Sequence, residues 1–339
     1  MNNKVLRSSI TLAFFLVALF SGFGSGAPGR TSATAPAPPA DALSYLPASD
    51  AITLIDVRRL LNETMPGILA GDQAKLATAN AEIDKFKTRT GINLRSFDRV
   101  VLGTRYTYPS PRVTKLETVA IARGTFDAKA LAAAGRIAAN GKYREEKYRG
   151  ATLLIFSLND RMKLLGLWDM RISDVAVCVL DSNSLAIGTV PNVRAAIDTG
   201  KKGDRANGDL VLLASRDPRA VIGFGANVPR ELMAHLNVGN DTIAKDVNSI
   251  RQAYGSIGST AGDVSVMLVA RTDSADSAKN LSDTVTGLSQ LGGMLVAQLP
   301  QPRKALAQSA LTNLKITTRG AELEIRLQVA AASLASVIK

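Results

Sequence analysis

From Glu322 to Val329 the chain alternates without a slip. Glu322, Glu324, Arg326 and Gln328 form one set, and Leu323, Ile325, Leu327 and Val329 the other. Successive side chains of a strand point to opposite faces, so this pattern demands a strand with one buried and one wet face. Leu314–Thr318 precedes it across Arg319-Gly320, and so short a Gly-containing link joins antiparallel neighbours. The same reasoning pairs Lys142–Tyr148 with Ala151–Leu158 across Arg149-Gly150. Hairpin links of this kind argue against a doubly wound parallel sheet, which needs a crossover between every pair of strands. The expected fold class is α+β: antiparallel sheets with helices packed on one face.

The helical segments carry a different period. Leu76, Ala79, Ile83 and Phe86 recur every three or four residues, so residues 72–90 read as an amphipathic helix. Asp127 reads as an N-cap, with Phe126 before it and Leu131 placed for a hydrophobic staple; Asn140-Gly141 is a stop signal. Ala278, Leu281, Val285, Leu288, Gly292, Leu295 and Leu299 line one stripe of a longer helix. Gly292-Gly293 interrupts that stripe, and a close backbone contact or a break there would account for the pair.

Three ordered matches suggest an internal duplication. Asp50–Val57 resembles Arg219–Ala226, Asp127–Leu131 resembles Ser277–Leu281, and Arg149–Ile155 resembles Arg319–Ile325. Each half reads as strand, helix, two strands, helix, two strands. The expected organisation is a first α+β repeat over residues 43–203 and a second over 204–339. Leu46-Pro-Ala-Ser-Asp-Ala51, the Tyr148-Arg-Gly150 turn, and Leu185–Thr189 leading to Ala195–Asp198 give the chain a further likeness. On these motifs residues 43–339 resemble a family of secreted bacterial proteins of unknown function with repeated α+β units. The resemblance implies export and the α+β class, and it brings no catalytic residues with it.

The N-terminus agrees with export. Lys4 and Arg7 precede an apolar run, Ile10–Phe20, and small residues follow from Ser21 to Ala27. A basic start, an apolar core and a small-residue exit make a secretory signal peptide, expected over residues 1–27. The alternative is a retained anchor. Residues 28–42 contain the run RTSATAPAPPA and read as a Pro/Ala-rich linker. The expected location is therefore periplasmic or secreted, with membrane contact only through the N-terminal segment. The net charge is +12, and without Lys4 and Arg7 it is +10. A basic exported chain suits an anionic envelope component as partner. Its charges are dispersed and no nucleic-acid motif is present, so nucleic acid is not expected.

Common chemistries find little support. His235 is the sole histidine and Cys178 the sole cysteine, which excludes a structural zinc site and any intrachain disulfide. Cys178 lies in the apolar run Val175–Leu180 and reads as a small core residue, and His235 as part of a surface helix. The one formal Gly-x-Gly-x-x-Gly match, Gly24–Gly29, lies at the end of the signal segment with no strand or helix to frame it, and P-loop and nucleophile-elbow motifs are missing, so no cofactor, metal or catalytic residue is expected. Gly223-Phe-Gly225 reads as packing within a strand. Adjacent Glu145 and Glu146 would point to opposite faces, and Glu322 and Glu324 would share a solvated one.

The strongest candidate contact feature is apolar. Met162, Leu164, Leu165, Leu167, Trp168 and Met170 cluster within Arg161–Met170, which reads either as a helix covering the core or, if exposed, as a contact patch. The expected function is a non-catalytic binding or scaffold protein of the cell envelope or exterior. A carrier of an apolar ligand and a carboxylate-based hydrolase are the alternatives.

Overall fold

The structure is a computed structural model. It describes residues 40–90, 93–110, 113–139, 141, 143–164, 168–201, 203, 205–233, 241–260 and 262–338. Along the chain run α1 (Ala40–Leu43), β1 (Ala51–Asp56), α2 (Gln73–Thr90), β2 (Phe97–Ser110), β3 (Val113–Gly124), α3 (Ala128–Ala139), β4 (Tyr143–Tyr148), β5 (Ala151–Leu164), β6 (Trp168–Val179), β7 (Ser184–Gly188) and α4 (Val190–Gly200). There follow α5 (Gly208–Ala214), β8 (Ala220–Asn227), α6 (Asp241–Asn248), β9 (Ile250–Thr260), β10 (Asp263–Thr272), α7 (Ala275–Val296), α8 (Arg303–Thr312), β11 (Lys315–Arg319), β12 (Glu322–Ala330) and α9 (Ala331–Val337). Short helical turns fill residues 57–68 and 230–233. Helices and antiparallel sheet are mixed, as the α+β expectation holds.

Two compact units result. One holds residues 40–49 and Ala77–Asn207, and the other Asp50–Leu76 and Gly208–Lys339. These units differ from the sequence halves 43–203 and 204–339, because β1 pairs antiparallel with β8 and so groups with the C-terminal strands.

In the first unit the antiparallel order is β2-β3-β7-β6-β5-β4. Register puts Val101, Val119, Ile121, Ala186, Cys178, Leu153 and Ile155 on one face, all buried. Helix α4 covers that face with Val193, Ala196 and Ile197, and α1 lies against β2 and β3. On the other face Leu154 and Phe156 meet Ala132 and Ala139 of α3. Asp127 caps α3 as expected, accepting from the Lys129 and Ala130 amides at 2.8 and 3.0 Å.

The second unit orders its strands β11-β12-β10-β9-β8-β1. Leu327 and Val329 of β12 pack with Leu306 of α8, and α7 lies over β10, β11 and β12. Helix α5 takes the opposite face over β8. There the Ala214 carbonyl oxygen would lie 1.9 Å from a Cβ on Gly223, so only glycine permits the approach. Gly223 is thus a packing residue, as its place in the sequence suggests.

Three expectations need correction. Helices cover both faces of each sheet rather than one, because α3 and α4 in the first unit, and α8 and α5 in the second, sit on opposite sides. The segment around Trp168 is no covering helix: Met162 pairs with Met170 and Leu164 with Trp168 across β5 and β6, while Leu165 and Leu167 fall outside the described residues. Period-two pairing had been hidden there because apolar and charged residues do not alternate strictly. Last, α7 runs unbroken through Gly292-Gly293, and nothing stands within 4 Å of a Cβ built at either.

The edge strand β4 carries charges at its four central positions (YREEKY) and β11 at both of its ends (KITTR), which discourages pairing with another sheet edge.

Two glycine substitutions should therefore act in opposite directions. Gly223→Ala is expected to lose about 2–4 kcal/mol of unfolding free energy, since it drives a side chain into backbone. Gly293→Ala is expected to gain about 0.5–1 kcal/mol from helix propensity. Denaturant unfolding of both variants measures the pair; a neutral Gly223→Ala would contradict the close approach.

Candidate functional site

Titratable side chains gather in two places, one in each unit. In the second unit, Gln252, Tyr254 and Ser256 of β9, Arg271 of β10 and Glu322 of β12 share the face that α5 partly covers. Tyr254 is almost wholly buried, and two guanidinium groups stand over its ring: Arg216 at 4.9 Å and Arg271 at 5.8 Å from the centroid. Arg216 donates to the Tyr254 hydroxyl. Arg271 donates to Glu322 at 2.8 and 3.0 Å and to Gln252 at 2.6 Å. Gln252 in turn donates to Asn227 at 3.0 Å, and Ser256 to Asp217 at 3.0 Å.

Protonation follows from this geometry. Burial pushes the Glu322 carboxyl up, but hydrogen bonds from Arg271 and Tyr254, with the charges of Arg271 and Arg216, outweigh it and hold Glu322 below its ordinary range. Burial pushes the Tyr254 phenol up to about 12 despite the neighbouring cations. The site is a fixed anion among fixed cations, with a phenol that stays protonated.

In the first unit Glu145 and Glu146 point to opposite faces, as period two requires. Glu145 meets Arg136 of α3 at 2.7 Å. Glu146 meets Arg194 of α4 through two bonds, at 2.7 and 2.9 Å. The side-chain bond from its arginine is the first cause holding each carboxyl below its ordinary range. Tyr148, on the Glu146 face, donates to Asp198 at 2.9 Å and has Arg194 and Arg149 at 5.5 and 5.9 Å from its ring centroid. Both sites thus pair a tyrosine with two arginines and a carboxylate.

The structure distributes the expected residues unevenly. Cys178 is buried, and burial pushes its thiol up to about 11, so it is the inert core residue expected of it. His235 lies outside the described residues. Glu322 and Glu324 do share a face, but the expectation that it is solvated is corrected: their side chains are only 22% and 31% exposed, and each is bound by an arginine. Met162 and Leu164 occupy positions in β5, and Trp168 and Met170 in β6. Tyr254 was not singled out from the sequence. Its signal is the polar period Gln252, Tyr254, Ser256 within an otherwise small and apolar strand. Among the described residues no three His, Cys, Asp or Glu side chains are placed to hold a metal ion. No described helix is long and apolar enough to cross a membrane.

The lowered carboxyls predict an acid dependence. Glu322 has an ordinary value of 4.5, and its folded value is lower. Its stabilisation is therefore present above about pH 4.5 and is lost as the pH falls through the folded value. Glu322→Gln should cost about 1–2 kcal/mol at pH 7, after allowance for partial exposure, and should flatten the stability profile below pH 5. Carboxyl NMR titration should place Glu145, Glu146 and Glu322 below ordinary glutamates. An unchanged acid profile in Glu322→Gln would remove the role given to the Arg271 pair.

Comparison with known proteins gives two results. Neither a family model nor a curated protein matches the chain. Among solved structures, crystal form III of TP0453 is similar over 91% of this chain and 98% of its own, at 12% identity and a TM-score of 0.44. Crystal form I of TP0453 is similar over 88% and 96%, at 13% identity and a TM-score of 0.43.

Proposed function

We propose that this chain is an exported, non-catalytic binding or scaffold protein of the cell envelope or exterior. The observation that carries the non-catalytic part is the direction of the carboxyl shifts. Glu145, Glu146, Asp273 and Glu322 are all held below their ordinary range with arginines bound to them. A general acid or base working near neutrality needs a carboxyl moved the other way. Cys178 and Tyr254 are pushed up through burial, which makes each less reactive. A carboxyl titrating near pH 7 in the folded chain would restore the hydrolase reading.

Export is supported by the three-part segment at residues 1–27 and the Pro/Ala-rich linker after it. The partner chemistry this suits is an anionic envelope component, given the net charge of +12. Cells expressing the full chain and a chain lacking residues 1–27 can be fractionated. The full chain is expected outside the cytoplasm and the truncated one inside; finding both in the cytoplasm would end the proposal of location.

We also propose that the chain arose by internal duplication, in line with the secreted repeat proteins it resembles. In one half β2–β3, α3 and β4–β5 follow one another; in the other β9–β10, α7 with α8, and β11–β12 do. The sheet orders agree once β6 and β7 are taken as an insertion: β2-β3-(β7-β6)-β5-β4 against β9-β10-β12-β11. Arg-Gly turns close both outer hairpins, with positive φ at Arg149, Gly150 and Gly320. The middle match is better drawn from Asp127 to Ser274, because Ser274 caps α7 through the Ser277 amide at 3.1 Å and Ser277 lies inside that helix. A crystal structure in which these segments superpose with equal strand direction supports the duplication. Opposite directions in any equivalent pair would rule it out.

A further inference from the structure

We draw no further inference here: the strongest candidate, the strand position beyond Gly188 in the first unit's sheet, where residues 113–118 of β3 and 168–175 of β6 run on without β7 between them, carries nothing because nothing in the structure shows what would fill it.

Discussion

Register in the antiparallel ladders is the constraint on which the rest of this structure depends. A one-residue slip in a strand exchanges its two faces, and here both faces are occupied. In β4 a slip would send Glu146 away from Arg194 and bring Glu145 into the space under α4. In β9 it would take Tyr254 out from under Arg216 and Arg271 and place Gly255 there. The burial on one side and the ion pairs on the other thus specify the same register. That agreement between levels is what allows long strands with little aromatic content to settle into one pairing.

The charged residues on these strands act differently from ordinary surface pairs. Exposed ion pairs contribute little, because water screens them and long side chains must be held still. Arg271 and Arg194 are partly withdrawn from water and lie near tyrosine rings; Arg271 meets Glu322 of the neighbouring strand, and Arg194 reaches Glu146 of β4 from the helix packed above. Their guanidinium heads satisfy the carboxylates through charge-assisted bonds.

Local patterns in the sequence were read well wherever the physics is local. The alternation of Glu322–Val329, the Arg-Gly turns, the Asp127 cap and the period of residues 72–90 each depend on neighbours within a few positions, and each is found in the structure. The splitting of Glu145 from Glu146 and the shared face of Glu322 and Glu324 were legible for the same reason. What could not be read is who covers a face. Glu322 looks wet in the sequence because its covering groups, Arg271 and Arg216, arrive from far along the chain. The glycine pair of α7 also misleads: within an apolar stripe it suggests a close backbone contact or a break, and the helix shows neither. The Trp168 region failed for a different cause, since its apolar residues cluster instead of alternating and suit a helix and a strand equally.

The pairing of β1 with β8 has a consequence for the order in which the molecule can be made. Arg59, in the helical turn after β1, bonds to the Arg219 carbonyl 160 residues later, and β1 itself pairs with β8, so a strand near the start of the folded body waits for a partner in the chain's second half. Residues 77–207 carry every strand of the first unit and can close their sheet as soon as they emerge. During that interval Ile52 and Ile55 of β1, buried in the folded chain, lack the cover that β8 provides. A chain threaded linearly through a pore, from whichever side, would finish one unit well before the other. Until then the waiting strand offers an unpaired edge of the kind that favours misassembly.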